Sequence, residues 1–294
     1  FCTMSFTPPQ QPQPSSHYPP APAGQRSNTQ YPTAQYPSVP QPTQQRPIMS
    51  YVVPSRRAVT GLELLAILAL PVVASLVAIL ISTIAMMLMF DDLKTIEVYV
   101  IPAALAGYGI TLFTTLRVQR WSLSDLGFHP IKRTWAHLLW QVPAIIMVCG
   151  MISLAATVLV TPPATSDSQE MADTFKFGPV AVVLSILAIS IIGPIIEEIC
   201  FRRFIMGYLD QKLLPRMQAR TAIICSTLIS SVLFALMHGV PMAMITAFFL
   251  GTCAAALIRW HQSLWASVAL HIANNTVVSL VLLFIYFTGT NVLG

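Results

Sequence analysis

Seven apolar runs, each near the length that crosses a bilayer, leave this 294-residue chain few folds to choose from. About 20 apolar residues in a helix span the roughly 30 Å hydrocarbon layer, and such runs are read at 62–90, 97–116, 136–160, 179–201, 221–238, 241–258 and 264–287. With 55% of residues apolar and only 9% charged, a soluble domain of this length could not hide its hydrophobic surface. Inside hydrocarbon only helices and closed barrels satisfy their own backbone, and the runs are too long for strands. The expected fold is all-α: a polytopic transmembrane bundle of about seven to eight helices.

Residues 5–50 break this pattern with Pro, Gln, Ser and repeated Tyr-Pro pairs at Tyr18, Tyr31 and Tyr36. Such a stretch is too poor in aliphatic residues to bury a core, so residues 1–55 are expected to form a disordered N-terminal tail ahead of a membrane domain at 56–294.

Charge sets the expected orientation. Arg56 and Arg57 precede the first run, Arg117, Arg120, Lys132 and Arg133 follow the second, Arg202, Arg203, Lys212, Arg216 and Arg220 follow the fourth, and Arg259 follows the sixth. Read as loop residues, all of these fall on one side. The opposite loops carry Asp91, Asp92, Glu97, Asp167, Glu170 and Asp173. Lys and Arg in short loops stay in the cytoplasm, so the N terminus is expected there, in a multi-pass protein of a bacterial plasma membrane. The net charge of +5 then faces anionic headgroups, and no nucleic-acid partner is implied. Trp121 and Trp135 on the segment 117–135 read as interfacial anchors. Cys2, Cys149, Cys200, Cys225 and Cys253 are isolated and frame neither a disulfide nor a Cys-x-x-Cys metal site.

Three polar motifs interrupt the last apolar runs: Glu197-Glu198-x-x-x-Arg202, Phe234-x-x-x-His238 and His271-x-x-x-Asn275. Ionisable and amide groups in membrane helices are costly, and their concentration in one third of the chain marks a functional cavity. Adjacent acids on a helix point about 100° apart, which separates their tasks. Glu198 sits four residues before Arg202, the favourable order for an ion pair, leaving Glu197 as the free carboxylate able to take a proton from water. The bland alternative makes both acids headgroup-level charges. Phe234 lies one turn before His238 and would wall its imidazole, although a His at a helix end is also a common capping residue. His271 and Asn275 share one face inside the last run, where their N–H groups suit a developing oxyanion and equally suit helix-to-helix hydrogen bonds. Gly193-Pro194, just before the acids, is a backbone breaker that would kink or open the helix and admit water to Glu197.

Taken together, Glu197-Glu198-Ile199-Cys200-Phe201-Arg202, Phe234-Ala235-Leu236-Met237-His238-Gly239, and Leu264-Trp265 through His271 to Asn275 resemble the signature of the CAAX-protease and bacteriocin-processing family, the type II CAAX prenyl endopeptidases. The resemblance covers about 180–280 and implies an intramembrane endopeptidase acting on a peptide or protein substrate in or at the membrane. It implies that Glu197 activates the hydrolytic water with His238, that His271 and Asn275 stabilise the oxyanion, and that Glu198, Arg202 and Phe234 support the site. Where the family often has Gly after the motif arginine, this chain has Arg203. A glutamate mechanism without a cofactor is expected. The alternative is zinc held by Glu197, His238 and His271, an adequate set of three ligands with an open fourth position. Two other functions fit the composition: a non-proteolytic scaffold or bacteriocin-immunity-type protein, and a transporter with a proton relay. One geometric difficulty stands out. If the fourth run ends near 201, Glu197 lies near the cytoplasmic face and His238 near the outer one.

Overall fold

The computed structural model describes residues 57–89, 93–131, 134–159 and 179–288. The tail expected at 1–55 lies outside the described residues, as do Asp91, Asp92, Lys132, Arg133, Asp167, Glu170, Asp173 and Lys176. The described residues are helical with no strand. We number the long helices α1 (Gly61–Met87), α2 (Leu93–Val118), α3 (Ala136–Leu159), α4 (a continuous run from Pro179 to Leu213), α5 (Ala219–Leu236), α6 (Pro241–His261) and α7 (Leu264–Thr288). α1, α3, α4, α5, α6 and α7 are long and apolar enough to cross a membrane. Large aliphatic side chains cover the outside, with Leu62, Leu65, Leu76 and Ile81 of α1 all exposed, as lipid contact requires. The chain is an integral, multi-pass membrane protein.

Local chemistry explains the starts and stops. Thr60 and Glu63 form a reciprocal capping box at the start of α1, which satisfies two otherwise orphaned backbone donors. Pro71, Pro102 and Pro143 all lie inside helices, tolerated because neighbouring helices support the freed carbonyls. Gly107 lets α2 press against α1, since a Cβ there would sit 2.9 Å from the Ala78 methyl. Gly109 does the same toward Ile196 of α4.

One apolar core joins Ile67, Leu112, Leu116, Trp121, Phe204, Ile258 and Leu264 where α1, α2, α4, α6 and α7 converge; a second joins Cys149 of α3 to Leu250 and Ala254 of α6 and Leu270 of α7. Trp121 is a core residue here, not an interfacial anchor. Its ring meets Phe204 edge-on at 5.0 Å, and the guanidinium groups of Arg57 and Arg203 lie 3.9 and 4.9 Å from its centroid. Arg203 also donates to the backbone carbonyls of Arg57 and Asp125, fastening the chain ahead of α1 and the loop after α2 onto α4. Trp135 is exposed, as an anchor would be.

The loop count of basic residues also needs correction. Arg202, Arg203 and Arg259 are buried within the helices. The reason is that α4 does not end at 201 but continues to Leu213, and that each cation has an internal partner. Arg259 forms two bonds to the Asp210 carboxylate, at 3.0 and 3.1 Å, and Ser226 donates to the same carboxylate at 2.5 Å. This buried polar knot fixes α6 to α4 and α5 below the acidic motif.

Candidate active site

The extension of α4 removes the difficulty of depth. Glu197 lies sixteen residues before Leu213, about 24 Å up the helix, and His238 lies nineteen residues after Ala219, about 28 Å up the neighbouring one. The two helices are joined by a short turn, so these residues arrive at similar heights. α4 is also not a uniform helix. It is α-helical over Pro179–Leu187, wide (π) over Ala188–Ile192, α-helical over Gly193–Glu197, wide again over Glu198–Met206, and α-helical over Gly207–Leu213. Wide turns of this kind recur at functional sites because they aim side chains a regular helix would not.

The two acids both address His271, through opposite sides of its ring. Glu198 Oε1 accepts from Nδ1 at 3.1 Å, and Glu197 Oε2 lies 3.6 Å from Nε2. Glu198 is fully buried, with its other oxygen 3.5 Å from Nε of the equally buried Arg202. Glu197, by contrast, has 39% of its side chain exposed. One acid is thus enclosed between a guanidinium and an imidazole, and the other is partly exposed. The expected division of tasks has a geometric counterpart, although the acids meet on one imidazole instead of serving separate faces.

Phe234 is the hub. Its ring lies edge-on to His238 at 4.9 Å, to His271 at 5.4 Å and to Phe201 at 5.2 Å, and the Arg202 guanidinium lies 4.8 Å from its centroid. α5 ends just past it because Gly239 takes φ of +69°, a left-handed conformation that glycine adopts without penalty, and Pro241 opens α6. His238, exposed at this helix end, places Nδ1 3.0 Å from the Phe234 carbonyl. A carbonyl only accepts, so Nδ1 carries the proton and Nε2 of the neutral ring is left as an acceptor. On another face of the same helix pair, α5 and α6 line an apolar cleft of about 250 Å³ with Val232, Ala235, Leu236, Met244 and Phe248.

α6 approaches this cluster through Gly251. A Cβ there would stand 3.0 Å from Arg202 Nη2, 3.1 Å from Phe234 Cδ1 and 3.4 Å from Ser231 Oγ. Gly251→Ala should therefore destabilise the protein by about 1–3 kcal/mol, the usual range for overpacking, and lower turnover by displacing the hub. A melting curve and a rate measured on the same preparation check it, and a wild-type melting temperature would contradict it.

The Asn275 carboxamide is bonded to the backbone of α4 and to its neighbour: its Nδ2 donates to the Ile189 carbonyl at 2.9 Å and its Oδ1 accepts from Asn274. The zinc set considered from sequence was Glu197, His238 and His271. Phe234 packs against both imidazoles, and no group of three His, Cys, Asp or Glu among the described residues is gathered to hold a metal ion. Sequence reading missed Tyr108 of α2, whose hydroxyl lies 3.4 Å from Sγ of Cys200, three residues after Glu197 on α4. Its setting between Gly107 and Gly109, which allow close helix approach, was the available signal.

With this geometry in hand, the comparisons are specific. The family described as type II CAAX prenyl endopeptidase Rce1-like matches residues 179–277. The match covers 99 of the chain's 294 residues, a segment similar to an Rce1-like domain. It contains α4, α5, α6 and the first half of α7, and so every residue of the three motifs. A 114-residue stretch is 34% identical to "Putative membrane peptidase YdiL" of Bacillus subtilis (strain 168), covering 39% of this chain and 42% of that protein. The alignment thus spans about two fifths of the relative's length. No solved structure matches the chain. Tyr108 and the Trp121 anchorage lie outside the matched segment, on helices and loops that precede it.

Proposed function

We propose that this protein is an intramembrane endopeptidase in which Glu197 activates the attacking water. The observation that carries the reading is the unequal setting of two adjacent acids on one imidazole: Glu198 enclosed, Glu197 open with its oxygen 3.6 Å from His271 Nε2. Water attacks the scissile carbonyl carbon as its proton passes to Glu197, with the free Nε2 of His238 as a second acceptor at the mouth of the site. The carbonyl oxygen becomes an oxyanion, and His271, whose ring nitrogens lie beside the two acids, is the side chain placed to donate an N–H to it. Glu197 then returns its proton to the leaving amine as the C–N bond breaks. Glu198 acts on this cycle by orienting His271 through Nδ1, as a buried acid orients a catalytic histidine elsewhere.

The zinc alternative finds no gathered ligand set, and no step is assigned to it. The family likeness supports a lipidated C-terminal CAAX peptide as the substrate class. The cleft between α5 and α6 would take the apolar part of such a substrate. The test is quantitative mass spectrometry of peptide termini in membranes carrying the wild type or Glu197→Gln at equal expression. New termini that require Glu197 are expected. Identical termini in both membranes would remove the endopeptidase reading in favour of a scaffold.

A further inference from the structure

We propose that Asn275, together with Ser190 and Ser279, is a positioning group that holds the wide turn of α4 open and so aims Glu197 at His271; this rests on the endopeptidase reading of Glu197. The need for such a group begins at Pro194. In the turn Ala188–Ile192 the Gly193 N–H bonds to the Ala188 carbonyl, five residues back, and is unavailable to Ile189. The next donor along would be residue 194, and proline has none. The Ile189 carbonyl is thereby left without a backbone donor inside a membrane helix, where an unmet polar group is costly. Asn275 Nδ2 supplies the missing donor at 2.9 Å. The same seam is closed twice more: Ser190 Oγ donates to the Asn275 carbonyl at 3.2 Å and shares a hydrogen bond with Ser279 Oγ at 2.8 Å. Ser190 is 1% exposed and Ser279 is 3% exposed, so neither is open to a substrate.

The seam matters for direction. One extra residue in a turn rotates everything beyond it by about 100° relative to a regular helix. Glu197 follows the turn by five residues, so the wide turn selects which of the two acids faces Nε2 of His271. The family likeness gives the Asn275 amide to the oxyanion. The bond to Ile189 gives it to the backbone instead, and the two assignments predict different epistasis.

Pro194→Ala restores a backbone N–H next to the Ile189 carbonyl and makes the Asn275 bond redundant. The experiment is a double-mutant cycle of Asn275→Ala with Pro194→Ala on the full chain in nanodiscs. Turnover is read with an internally quenched, S-farnesylated peptide ending in cysteine plus three residues. The direction of Glu197 is read separately from its rate of carbodiimide labelling, by peptide mass spectrometry. Asn275→Ala is expected to lower kcat by up to about 10²-fold at unchanged KM, as misplacement of a reacting group does, and to alter Glu197 labelling. In the Pro194→Ala background both effects should shrink about tenfold or more. Ser190→Ala should lower kcat in the same sense. An equal kcat loss in both backgrounds, with unaltered labelling, would place Asn275 on the reacting atoms and overturn the proposal. If no variant cleaves the peptide but the labelling cycle shows the coupling, the seam stands and only the endopeptidase reading falls.

Discussion

Glu197→Gln is expected to lower turnover by about 10²–10⁴-fold while leaving the melting temperature unchanged, since it removes a proton acceptor without removing a buried contact. The side chain is 39% exposed and makes no buried ion pair of its own, so the neutral amide leaves no uncompensated charge in the bundle. His271→Ala in the same assay should cost as much or more, because it takes away the group both acids address. The double variant should be little worse than the worse single one, as with groups that act as a unit. Steady-state rates of the four proteins on one substrate check this. Full additivity of the two losses would mean that Glu197 and His271 serve separate steps.

Glu198→Gln is expected to act on folding first. Glu198 is fully buried between Arg202 and His271, and Arg202 has no hydrogen-bonded acceptor among the described residues, its Nε standing 3.5 Å from the Glu198 carboxylate as an ion pair. Removing one member of a buried pair leaves the other charge uncompensated, at a cost of about 3–5 kcal/mol. In a protein of this size that is a fall in Tm on the order of 10 °C. Adding Arg202→Met removes the stranded charge, and the double variant should recover most of the stability. Turnover should stay low in it, because His271 has lost the acceptor that fixes its Nδ1. A wild-type melting temperature for Glu198→Gln alone would show that Arg202 has another anion to rest on.

Much of this was legible in the sequence, and the parts that were not share a physical cause. Helix positions follow from apolar length, a signal that barely depends on what surrounds it, and α1, α3, α5, α6 and α7 begin and end near the expected places. The residues of the three motifs stand out because polar side chains are conspicuous against an apolar background. The reach of α4 past 201 was hidden because Arg202 and Arg203 look like loop cations when read singly. Only their neighbours, Glu198 for one and the Trp121 ring with two backbone carbonyls for the other, make them interior residues. Trp121 was misread for the same reason, since its burial depends on Phe204, more than eighty residues away. The wide turns leave no periodic trace. Gly193-Pro194 announces a disturbance, but which carbonyl it strands depends on where the extra residue falls.

The Phe234 hub has a consequence for how such a site can vary. A single ring touches both histidines, the buried arginine and Phe201, so none of these four can be resized or reoriented without disturbing the others through it. Retuning this centre by one substitution at a time would pass through damaged intermediates, whereas the apolar cleft wall at Leu236 and Met244, outside that set of ring contacts, is free to change in small steps. Substrate preference in chains built this way should therefore drift along the cleft while the polar centre stays frozen.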